Sequence, residues 1–136
     1  MNLEKFKQQH MEIINCITQL RHFSREGIVE NAVELSRLIV AMSSIIKLHL
    51  AVEDKILYPA LESMNNPVLK RMGKRFQEEM ACIASVYIDF AKKWNSANNL
   101  AKNSEEFRSE ANKVLKILYE RMQRENIDFY PVIEAS

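Results

Sequence analysis

The stretch HLAVEDKILYPAL, residues 49–61, sets a histidine and a glutamate four positions apart on what should be the apolar side of a helix. A related stretch, RMQRENIDFYPVI at 121–133, repeats the glutamate, tyrosine and proline at the same offsets, with Arg121 in place of His49. A further misfit, His10, interrupts the apolar series Leu3, Phe6, Ile13, Ile17 and Leu20. Imidazole nitrogens and carboxylate oxygens that converge inside a helical core are metal-ligand chemistry. If they do not converge, they are buried polar groups with a desolvation cost and no return.

The elements that must position them are legible from spacing. Apolar residues recur at threes and fours, which predicts helices over 3–23, 31–58, 67–94 and 104–127. Gly27 in SREGIVEN separates the first two. In MNNPVL, Asn66 suits an N-cap and Pro67 the first helical position. NSANNLAKNSEE reads as a polar loop ending in a cap at Asn103 or Ser104, and Pro59 and Pro131 each end or bend a helix. Long helices joined by short loops imply an all-α fold, an antiparallel up-down-up-down four-helix bundle forming a single domain over 1–136. The chain also resembles two related hairpins: Phe6 and His10 map to Phe76 and Met80 at an offset of 70, and Glu53, Tyr58 and Pro59 map to Glu125, Tyr130 and Pro131 at an offset of 72.

Composition narrows the functional classes. The net charge is +1 and no dense basic block occurs, which argues against nucleic acid as a partner. No stretch reads as a membrane span and no leader pattern opens the chain, so the expectation is a cytoplasmic protein. Cys16 and Cys82 form no CxxC pair and are expected to be buried thiols in a reducing compartment. His22 falls about 120° round the helix from His10, which predicts a surface position.

In antiparallel helices, residues equidistant from the connecting turn share a level. His10 and His49 flank the first loop symmetrically, Glu53 and Met80 the second, and Met80 and Arg121 the third. His10, His49, Glu53, Met80, Arg121 and Glu125 are therefore expected in one core layer. Two imidazoles and two carboxylates there suit Fe, Mn or Zn better than Ca or Mg. The alternative is a structural polar layer in a metal-free interaction protein, with Arg121 pairing Glu53 and Glu125. A mononuclear iron enzyme is a further alternative, although no substrate pocket can be read from the sequence.

His10, together with the H-x-x-x-E and L-Y-P of HLAVEDKILYPAL, resembles the hemerythrin-like (HHE cation-binding) family over nearly the whole chain. The resemblance implies a four-helix bundle that often holds a non-haem di-iron centre binding oxygen, or sensing oxygen, nitric oxide or iron. It implies metal ligands at His10, His49, Glu53 and Glu125, the two glutamates bridging in a di-iron member. The third-helix histidine is Met80 here and the fourth-helix histidine is Arg121. One iron at most is therefore expected, with a small diatomic molecule or the metal ion itself as ligand. Arg121 is expected to replace the second metal, its guanidinium within hydrogen-bond reach of Glu53 or Glu125. The competing arrangement puts the Arg121 head in water near a bundle end.

Overall fold

The computed structural model describes all of residues 1–136 and contains helices and no strand. The elements are α1 (Glu4–Glu26), α2 (Ala32–Val52), a π-helical turn (Glu53–Leu57), α3 (Tyr58–Ser63), α4 (Pro67–Trp94), α5 (Ala97–Lys102), α6 (Ser104–Arg124), a second π-helical turn (Glu125–Phe129) and α7 (Tyr130–Glu134). The unit from α2 to α3 is one continuous rod, as is the unit from α6 to α7. With α1 and α4 they make the four-helix bundle: α1 packs on α2 and α6, and α4 packs on the same two from the other side.

The helix starts follow local chemistry. Asn66 Oδ1 accepts the Leu69 N–H at 3.1 Å, and Pro67 opens α4 as expected. Gly27 closes α1 at φ 142°, a left-handed conformation that other residues avoid. The expected loop after α4 instead folds into α5, capped by the Ser96 hydroxyl and anchored by buried Leu100.

Two helices run farther than the sequence reading placed them, past Pro59 and Pro131. Proline lacks an N–H and crowds the carbonyl four residues back. The chain accommodates this by widening one turn: the Tyr58 N–H bonds to the Glu53 carbonyl, and the Tyr130 N–H to the Glu125 carbonyl. Helix then resumes with the proline in its first turn, where no N–H is required.

By length and composition alone, Ala32–Ser63 is apolar enough to cross a membrane. One face of this rod, Leu35, Ile39, Met42 and Ile46, is fully buried in the bundle. Cys16 is buried, but Cys82 is exposed, against expectation.

The apolar core is divided in two. A larger cluster fills the body of the bundle and the end bearing the α1–α2 connection and α5, from Ile13 and Met42 to Ile28, Trp94 and Leu100. A smaller one, including Leu3, Phe6, Leu61, Phe76 and Phe129, closes the end bearing the π turns. The polar residues Gln9, His10, His49, Glu53, Arg121 and Glu125, all buried, lie among these apolar groups.

Candidate metal centre

Each π turn begins at a core glutamate, Glu53 or Glu125. Glu53 is carried one turn beyond His49, with its Oε2 3.4 Å from His49 Nε2. Glu125 enters from the opposite rod, its Oε1 3.7 Å from His10 Nε2. Widened turns of this kind recur at functional sites because they re-aim side chains that a regular helix would direct elsewhere.

The two imidazoles define the site. His49 Nδ1 donates to the Gln9 amide oxygen at 2.7 Å, and His10 Nδ1 donates to the Asn126 amide oxygen at 2.8 Å. Each amide oxygen can only accept, so each ring carries its proton on Nδ1 and a lone pair on Nε2. The two Nε2 atoms face each other at 3.1 Å. Two lone pairs cannot bond one another, so a cation or a proton is needed between them. Two nitrogens each about 2.1 Å from one ion, at a right angle, would be about 3.0 Å apart. Amide partners behind the rings, fixing tautomer and orientation, are what metal-ligating histidines use.

A proton fills the gap poorly. Burial, aided by any charge on His49, holds His10 down to about 4, with the Asn126 bond opposing only in part. The carboxylates call for a cation too. Burial pushes Glu125 well above its ordinary range, the neighbouring Glu53 charge adds to this, and Arg121 offsets part of it. Tyr130 donates to Glu53 Oε2 at 3.1 Å, lies 3.2 Å from His10 Nε2 and stacks on the His10 ring. Even so, Glu53 Oε1 and both Glu125 oxygens lack any hydrogen-bond partner, as do the Tyr58 hydroxyl and Arg121 Nε. Orphaned buried carboxylate oxygens are costly. Their gathering beside two inward lone pairs fits a cation site, and His10, His49 and Glu125 bring ligand atoms within 4.8 Å of one another.

The model of the hemerythrin HHE cation binding domain matches residues 1–133. The chain belongs to that family. Neither the curated proteins nor the solved structures yielded a match. Within this hemerythrin-like bundle, all six residues expected in the layer are buried. Met80 sits in the larger apolar cluster as a core filler, and His22 is exposed.

Arg121 is placed differently from both expectations. Its head is neither on the core carboxylates nor in water. Nη1 donates to Glu79 at 2.5 Å and Nη2 to the Phe76 carbonyl at 2.6 Å, with the guanidinium 4.4 Å over the Phe76 ring. Its nearest approach to a core carboxylate is Nε to Glu125 Oε1, 3.9 Å, beyond a hydrogen bond. The reason is the half-exposed Glu79 carboxylate on α4, which offers a charged acceptor without a buried partner's desolvation cost.

Gln9, Asn126, Tyr130 and Glu79 were missed in the sequence. A signal existed for two of them. Tyr130 lies in the repeated Tyr-Pro pair, and Glu79 stands at the offset of 70 from Gln9 that links His10 to Met80. Gln9 and Asn126 are recognisable only as immediate neighbours of His10 and Glu125.

Proposed function

We propose that the chain binds a single non-haem metal ion in the layer formed by His10, His49, Glu53 and Glu125. Iron is the ion best suited to this mixture of imidazole and carboxylate, with Mn or Zn as the nearest competitors. The observation that carries the reading is the pair of Nε2 lone pairs aimed at each other, each ring backed by an amide oxygen. The bound ion would supply a redox-active or Lewis-acidic centre. The protein's own part is to fix both tautomers, to keep water out with the apolar groups around the site, and to hold the Tyr130 O–H against Glu53.

Reversible oxygen carriage in a di-iron site draws one electron from each of two irons. With Met80 and Arg121 at the emptied ligand positions, a role in sensing or handling oxygen, nitric oxide or iron suits this chain better. The metal-free alternative required Arg121 to neutralise Glu53 and Glu125. With the guanidinium on Glu79, one oxygen of Glu53 and both oxygens of Glu125 remain without a donor, which argues for a cation.

The test is metal analysis of protein purified without chelator and of apo-protein reloaded anaerobically with Fe(II). One equivalent per chain, lost on His49→Ala, is expected. A ratio of two with an oxygen-bridged spectroscopic signature, or no uptake at all, would overturn the reading.

A further inference from the structure

We infer that Glu79 decides which cation neutralises the core carboxylates: it holds the Arg121 guanidinium outward, leaving Glu53 and Glu125 free for a metal ion. The inference rests on the metal-binding reading above and concerns the regulation of that site. Arg121 and Glu125 are four residues apart, one helical turn, and Arg121 Nε already lies 3.9 Å from Glu125 Oε1. A rotation of one side chain would bring the forked donors onto Glu125. Both oxygens of Glu125 and one of Glu53 have no donor, so acceptors await it.

Three contacts hold the head outward: Glu79, the Phe76 carbonyl and the Phe76 ring. Only Glu79 carries a full charge, and Arg124 braces it at 3.2 Å. A cavity of about 430 Å³, lined in part by Glu79, Arg121 and Arg124, opens on this side. Glu79 thus meets solvent while Arg121 behind it is buried. A guanidinium and a metal ion are alternative partners for the same carboxylates. Whatever fraction of molecules has Arg121 turned inward is lost to metal binding, and the apparent affinity falls by that fraction. Glu79 keeps the fraction small.

The position of Glu79 supports this. It stands at the offset of 70 from Gln9, whose amide oxygen accepts from His49 at 2.7 Å. In both hairpins this residue orients the group facing it, and the carboxylate appears where that group is a guanidinium. Glu79 is therefore a positioning residue.

The test uses the full chain as Glu79→Ala, with Glu79→Gln as a milder variant that keeps the side-chain length. The arginine pose is read first, without metal, from crystal structures of the apo variants. The Arg121 head is expected within hydrogen-bond distance of Glu125. Co(II) titration of the same proteins should then show affinity lowered by about tenfold or more for Glu79→Ala. Adding Arg121→Met to Glu79→Ala should return the affinity to that of Arg121→Met alone, because the competing cation is gone. A guanidinium that stays on the Phe76 carbonyl, an unchanged Co(II) affinity, or a double variant as weak as Glu79→Ala would each overturn the inference. Wild-type protein that takes up no Co(II) would overturn the metal reading instead, a result told apart because the Arg121 pose is read without metal.

Discussion

The two hairpins share a frame but have different chemistry. In the first, Gln9 accepts from His49, and Phe6 sets its ring edge-on to that imidazole at 6.3 Å. In the second, Glu79 accepts from Arg121, and Phe76 lies beneath the guanidinium. Asn126 bonds His10, whereas its counterpart Asp54, with Met80 in place of a histidine, bonds Gln77 instead. Tyr130 bonds Glu53, while its counterpart Tyr58 is left without a partner. The π turns and the helices beyond them recur in both halves. The backbone is thus set by the apolar seam and the prolines, which both copies keep. The polar chemistry of the core layer is set by single side chains, and the acceptor differs with its donor: a neutral amide for a neutral ring, a carboxylate for a permanent cation.

Breaking the comparison at its strongest point means removing the proposed ligand His49. His49→Ala should weaken Fe(II) or Co(II) binding by more than about 100-fold, above the range seen when only a ligand's supporting partner is lost. Equilibrium titration against a competing chelator measures it. At the matching level of the other half, Met80→Ala should leave that affinity within about threefold while costing roughly 2–5 kcal/mol of stability in urea unfolding, because it opens a cavity in the larger core. Metal loss in Met80→Ala would mean that the ion depends on the Met80 side of the layer as well as on His10, His49, Glu53 and Glu125.

The metal-free protein should titrate in opposite senses at two members of the site. His10 is held at about 4 when folded and returns to 6.5 when unfolded. The unfolded chain therefore binds the extra proton between those values, and stability falls as pH drops through that window, by on the order of 3 kcal/mol in all. Glu125 is raised, so the folded state keeps a proton that the unfolded chain releases near 4.5. Its contribution is lost as pH rises from 4.5 toward the folded value. Metal binding must expel that proton, so affinity should rise with pH and proton release should accompany loading. Thermal unfolding of apo-protein from pH 4 to 8, with unbuffered metal titrations, checks both signs. An effect smaller than that of losing the imidazole is expected at the ring's support: Gln9→Leu should weaken metal binding by about 10- to 100-fold. An unchanged affinity would mean that Gln9 does not set the His49 tautomer.

The four long helices, the Asn66 cap and the gathering of His10, His49, Glu53 and Glu125 in one buried layer were all legible in the sequence. Each depends on period and counting: seam residues repeat with the helix, and antiparallel rods place equidistant residues at one height. The sequence also marked Pro59 and Pro131 as disturbances. It could not decide between a helix end and a widened turn, because that choice depends on whether the residues beyond, Leu61 and Ile133, find a core to enter. The direction of the Arg121 head was likewise a tertiary decision. Its possible acceptors, Glu79, the Phe76 carbonyl and Glu125, lie on two helices, and burial decides among them: a half-exposed carboxylate gives up less hydration than a buried one. The tautomers of His10 and His49 follow the same rule. Imidazoles were written into the sequence, but the nitrogen left free to face a cation was fixed by Asn126 and Gln9 only when distant helices came together.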